Sequence, residues 1–221
     1  MGALALAGLV VLVIGDNHMV GRDNLLTTLH DGLTGLGAVV HSYGMCGATP
    51  EDWVLRVTER CGRTERHGND APIVDLSPAL SWNIGELIDK HQPRLVIVET
   101  ADTLAGYGSP QLPRAWAANQ VGVLVGQIRS RHVDCAWIGP IWGREAAPYY
   151  KTAVRVKETS EFLAQTVAPC RFIDSTVFAT PAELPTADWQ HLTLPGYKRW
   201  GNDIAEALQQ LPATPPDGRE R

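Results

Sequence analysis

The sequence predicts an α/β protein: a three-layer α/β/α sandwich around a central five-stranded parallel sheet. Two observations predict it. Short β-rich runs alternate with stretches of helical periodicity along the chain. Three of the five runs, residues 9–14 (LVVLVI), 94–100 (RLVIVET) and 133–139 (VDCAWIG), are almost continuously apolar. Continuous runs of that kind suit strands covered on both faces, as in a parallel sheet with helices above and below. Strand–helix alternation with right-handed crossovers then gives a doubly wound sheet.

The elements follow in order. Residues 9–14 form the opening strand. Residues 22–36 carry Leu25, Leu26, Leu29, Leu33 and Leu36 at helical spacing. Gly35 and Gly37 close that helix as a C-cap and turn rather than a phosphate cradle. A second strand is expected at 38–43 (AVVHSY). Residues 61–81 break the rhythm with Gly62, Gly68, Pro72 and Pro78, and are expected to form a long loop or cover. Strands at 94–100, 133–139 and 171–174 alternate with helices at 114–131, 152–167 and 196–211, the last preceded by Pro195. No internal repeat appears, so residues 1–211 are expected to form one domain and residues 212–221 (PATPPDGRER) a frayed tail.

Composition narrows the function. The chain has 221 residues, 44% hydrophobic and 19% charged, which excludes a disordered protein. Its net charge is −5, and no basic cluster stands out, so nucleic acid is not an expected partner. No run of roughly 18 apolar residues is present, so no membrane span is expected. Residues 1–14 are apolar but lack a basic start and a small-residue cleavage pattern. Residues 1–8 are read either as the remnant of a trimmed leader or as a lead-in to the strand, and the compartment stays open. Cys46, Cys61, Cys135 and Cys170 show no zinc spacing. They suit two disulfides or four buried thiols, and Cys135 and Cys170 are expected to lie close together on neighbouring strands.

In such sheets ligands bind at the carboxyl ends of the strands. Four segments arrive there: Gly15-Asp16-Asn17-His18-Met19, residues 43–50 (YGMCGATP), Ala101-Asp102-Thr103, and residues 188–197 (DWQHLTLPGY). Their order resembles the SGNH/GDSL hydrolases, esterases and acyltransferases with a flavodoxin-like sheet. That family opens on Gly-Asp-Ser, has a glycine in a second block and Gly-x-Asn in a third, and ends on Asp-x-x-His. The resemblance spans residues 9–208. YGMCGATP and WIGPIWG look most like bacterial members acting on acylated polysaccharides. It implies a small ester or an acylated carbohydrate as partner, with no cofactor and no metal.

The roles below are those the resemblance implies. His191 would be the general base and Asp188 its orienter. The backbone N–H groups of Asn17 and Gly47 would face the oxyanion. Two positions depart from the family. The nucleophilic serine falls on Asn17, whose carboxamide has no ionisable hydroxyl or thiol and cannot form an acyl-enzyme. The oxyanion asparagine falls on Thr103, whose hydroxyl is a shorter donor. His18 and Trp142 are expected at the substrate rim, Trp53 and Trp116 on helix faces in the core, and Asp16 as the cap of a turn.

Two functions follow from these residues. One is an SGNH-type hydrolase or acyltransferase for O-acyl (acetyl) esters, such as those of a polysaccharide, impaired or inactive because of Asn17. The other is a non-catalytic acyl-glycan binding or scaffolding protein using the same cleft. A metal-dependent phosphoesterase is disfavoured, because Asp16-x-His18 is not joined by a Gly-Asn-His segment.

Overall fold

The computed structural model describes residues 4–59, 61–147 and 150–211. The expected tail, 212–221, lies outside the described residues. In chain order the elements are β1 (Val10–Gly15), α1 (Leu25–Gly35), β2 (Val39–Met45), β3 (Thr58–Glu59), β4 (Arg63–His67), β5 (Ile73–Asp75), β6 (Ala79–Leu80), α2 (Ile84–His91), β7 (Leu95–Glu99), α3 (Ala101–Leu104), α4 (Arg114–Ser130), β8 (Asp134–Ile138), α5 (Ala153–Thr166), β9 (Arg171–Ile173) and α6 (Leu194–Gln210).

The main sheet has seven strands in the order β5-β4-β2-β1-β7-β8-β9. The five expected strands, β2-β1-β7-β8-β9, pair in parallel. Alternation along β1 sends its side chains into two cores. Val11 and Val13 pack with Leu25, Leu29 and Leu33 of α1 and Trp200, Ile204 and Leu208 of α6. Leu12 and Ile14 pack on the other face with Ile84 and Ile88 of α2, Val121 and Leu124 of α4 and Leu163 of α5. Both sheet faces are thus covered, which explains the continuous apolar runs.

Three departures from the sequence reading have physical causes. Residues 61–81 are not a plain loop: β4 and β5 extend the sheet antiparallel from β2, and β3 pairs with β6. In β4 only Thr64 is buried, so the strand carries no apolar period to read. Helix α2 has only eight residues and takes its start from Asn83, whose Oδ1 accepts from the N–H groups of Gly85 and Glu86. Trp116 is 41% exposed on α4 rather than in the core, whereas Trp53 is fully buried.

Disulfides join Cys46 to Cys61 and Cys135 to Cys170, with Cα atoms 5.4 and 4.6 Å apart. The second bridges the starts of β8 and β9, whose register pairs Ala136 with Arg171. The first ties the end of β2 to the start of β4.

Gly44 fixes the turn after β1 against β2. A Cβ there would lie 2.1 Å from the carbonyl oxygen of Met19. Gly44→Ala is therefore expected to destabilise the fold by about 1–3 kcal/mol or more, as overpacking does. Urea unfolding measures it, and a loss below about 0.5 kcal/mol, the range of a neutral surface change, would show that this turn gives way freely.

Candidate active site

The turns after β1 and β2, helix α3 after β7, and the segment before α6 meet at the carboxyl end of the sheet. Asp16 and Asn17 lead off β1, and the main chain turns tightly because Gly15 has no side chain. A Cβ on Gly15 would lie 2.4 Å from Met19 Cγ and 2.8 Å from the Glu99 carbonyl oxygen. Asp16 Oδ1 accepts from the His18 N–H at 3.3 Å, the capping role expected of it. Its Oδ2 lies 3.4 Å from the Thr103 nitrogen, which donates to it.

Asn17 stands partly exposed at the centre. The Gly47 N–H donates to Asn17 Oδ1 at 2.5 Å. Asn17 Nδ2 donates to Gln190 Oε1 at 3.4 Å, and Gln190 Nε2 donates to Asp102 Oδ2 at 3.1 Å. Gln190 therefore bridges the turn after β1 to α3.

Asp188 and His191 form a half-exposed pair. His191 Nδ1 lies 2.7 Å from Asp188 Oδ2, and the His191 N–H donates to Asp188 Oδ1 at 2.7 Å. The Gln190 N–H donates to the same oxygen. Burial raises the Asp188 pKa in part, but the hydrogen bonds from His191 and Gln190 outweigh it and hold the carboxyl below its usual range. An ionised Asp188 fixes the proton on Nδ1 and leaves Nε2 as a free lone pair. The His191 ring sits 5.8 Å from that of His18, centroid to centroid, so it faces the turn after β1.

Beneath this surface lies a buried polar cluster. His18 Nε2 is 2.9 Å from Asp102 Oδ2, and His18 Nδ1 is 2.9 Å from the Tyr197 hydroxyl. Lys151 Nζ donates to Asp102 Oδ2 at 2.5 Å, and the Tyr107 hydroxyl donates to Asp102 Oδ1 at 3.0 Å. Lys151 is 1% exposed. Gly143 makes room for its stem, since a Cβ there would lie 2.3 Å from Lys151 Cδ. Burial would raise the Asp102 pKa, but Lys151 and His18 outweigh it and keep the carboxyl ionised, well below its usual range. Burial pushes His18 down to about 4, against the pull of Asp102. His18 is thus neutral at pH 7, donating from Nε2 to Asp102 and accepting at Nδ1 from Tyr197.

Glu99 and Asp16 are the opposite case. Burial, then repulsion from Asp102, raises Asp16 to about 7. Burial, then repulsion from Asp16 and Asp102, pushes Glu99 well above the carboxylate range. Between pH 4 and 7 folded Asp16 keeps a proton that the unfolded chain has released. Its contribution to stability therefore falls as pH rises through that window. Asp16→Asn is expected to gain stability relative to the native chain on going from pH 4 to pH 7. Paired urea titrations at several pH values measure this, and a pH-independent difference would contradict the assignment.

Three expectations need correction. His18 is not on a substrate rim: it is fully buried and serves Asp102. Trp142 is 5% exposed, and its indole N–H donates to the Ala179 carbonyl at 2.5 Å, so it is a core residue. The Thr103 hydroxyl does not face the cleft: it donates to the Thr100 carbonyl, one turn back. The inward side chain of this segment is Asp102. Asp102, Lys151, Gln190, Tyr197 and Glu99 are members of the site that the sequence does not single out. For Asp102 and Glu99 there was a signal: carboxyls at the end of a buried apolar run. Nothing near Lys151 marks it. Among the described residues no helix is long and apolar enough to cross a membrane.

No family model matches the chain. Among curated proteins it is 40% identical over 223 residues to the protein BcsX of Komagataeibacter xylinus, covering 98% of this chain and 84% of that one. Among solved structures it superposes on a DUF4886 family protein from Bacteroides uniformis with TM-score 0.67 and 15% identity, covering 95% of this chain and 88% of that one. It matches a lipase/acylhydrolase from Enterococcus faecalis with TM-score 0.58 and 18% identity, covering 91% and 95%. It also matches a variant of Axe2, an acetyl-xylooligosaccharide esterase from Geobacillus, with TM-score 0.57 and 12% identity, covering 93% and 96%. On the fold of the SGNH/GDSL hydrolases, this chain belongs to the family of BcsX.

Proposed function

We propose that the chain binds an O-acyl ester, such as the acetyl group of a polysaccharide, in an SGNH-type cleft that no longer performs acyl transfer through a side-chain nucleophile. One observation carries this reading: the Asn17 carbonyl oxygen accepts the Gly47 N–H. In an acyl-transfer enzyme that N–H must be free for the oxyanion. Here the residue that replaces the nucleophile also occupies its electrophilic partner. The turned-away hydroxyl of Thr103 removes a further donor. The likeness to an acetyl-xylooligosaccharide esterase supports an acetylated sugar as ligand. The two disulfides suit folding in an oxidising compartment.

The intact His191–Asp188 pair favours a second reading, in which His191 Nε2 activates a water held by Asn17. Calorimetry with acetylated and deacetylated xylo-oligosaccharides, followed by an acetate assay, separates the two. The binding reading expects the acetylated form to bind more tightly and to be recovered intact. Acetate release that disappears in His191→Ala would establish the water route instead. Equal binding of both sugars would overturn the ligand assignment.

A further inference from the structure

A second polar cluster lies on the β2–β4 edge of the sheet and shares no residue with the site above. The antiparallel register sets His41 directly opposite His67 and Tyr43 opposite Glu65. Residues two apart on a strand share a face, so all four side chains belong to one face. Helix α2 ends on His91 over that face, and the His91 ring stacks on His41 at 3.9 Å between centroids. One ring nitrogen from each histidine lies within 4.8 Å of those of the other two.

The neighbours orient these rings. Glu65 Oε2 lies 3.1 Å from His67 Nε2, which holds the ring proton there and leaves Nδ1 as a lone pair. That Nδ1 faces His41 Nδ1 at 3.1 Å. A proton on His41 Nδ1 makes this contact a hydrogen bond, and a cation that replaces the proton would be shared by both rings. The Tyr43 hydroxyl is 2.7 Å from His91 Nε2 and fixes the third ring. A carboxylate or hydroxyl thus stands behind two of the three imidazoles, the support that metal-binding histidines ordinarily have.

We propose that His41, His67 and His91 form a binding site for a divalent cation of the zinc class, with the fourth position open to water. Three imidazoles suit zinc, copper and nickel. Zinc–nitrogen bonds of about 2.0–2.1 Å put tetrahedral ligands about 3.4 Å apart. The His41–His67 pair, 3.1 Å apart, is already near that spacing, and the His91 nitrogen, within 4.8 Å, closes on it when its ring turns out of the stack on His41. All three rings are half-buried, so an ion can enter from solvent.

The test uses untagged full-length chain stripped with a chelator and dialysed against zinc. The site predicts one zinc per chain, with affinity at least tenfold weaker in His41→Asn, His67→Asn and His91→Asn and unchanged in His191→Asn. X-ray absorption of the zinc-loaded native chain, which needs no variant to fold, is expected to show three imidazole nitrogens. The proposal is overturned if the native chain takes up no zinc, if the ring variants bind as tightly as it does, if His191→Asn alone abolishes uptake, or if fewer than three imidazoles surround the ion.

Discussion

Asn17→Ser is expected to raise hydrolysis of p-nitrophenyl acetate by up to about 10⁶-fold over the native chain. Removing the serine of a hydrolase triad costs about 10⁶ in kcat. A missing side-chain oxyanion donor costs about 10²–10³. The substitution reverses the first loss; the second lowers the rates of both chains alike and leaves their ratio, because the Thr103 hydroxyl points at Thr100 in each. The shorter serine also frees the Gly47 N–H that the Asn17 carbonyl now occupies. The gain is expected to vanish again in the Asn17→Ser/His191→Ala double variant. Initial rates with the purified variants measure both effects. A single variant no faster than the native chain would show that the site has lost more than its nucleophile and the Thr103 donor.

The second large effect is on stability. Lys151→Met is expected to destabilise the fold by about 3–5 kcal/mol, because it leaves the ionised Asp102 buried without its cation. Asp102 would keep His18, Gln190 and Tyr107 as hydrogen-bond donors, but all three are neutral. Adding Asp102→Asn to Lys151→Met is expected to restore part of the loss, since the buried charge disappears with its partner. Urea unfolding at constant m-value measures the series. A Lys151→Met loss below about 1 kcal/mol, the range of an exposed pair, would contradict a dry Lys151–Asp102 contact.

The parts of the fold that burial dictates were legible in the sequence. β1, β7 and β8 are apolar throughout because both faces of the sheet are covered, and the leucines of α1 mark its buried side. β4 was not legible: its residues, Arg-Thr-Glu-Arg-His, are held by register and by the neighbouring disulfide rather than by an apolar pattern. The exposed layer of the site could be read, because Asp188 and His191 lie three residues apart before a marked helix start. The layer beneath it could not. Lys151 reaches Asp102 from 49 residues away, and no local pattern encodes such a contact. The side chain at 103 illustrates the limit of positional reasoning. One residue of helical rotation decides that Asp102 points inward and Thr103 turns back on its own helix.

Exposure to an alkyl phosphonate ester followed by intact-mass measurement tests whether an attacking oxygen at position 17 is enough to restore covalent chemistry at this centre. Phosphonylation needs a nucleophile at position 17, a base at His191 and open N–H donors, all in register. The expected result is one phosphonyl adduct on Asn17→Ser and none on the native chain or on Asn17→Ser/His191→Ala. An adduct on the native chain, or no adduct on Asn17→Ser, would contradict it.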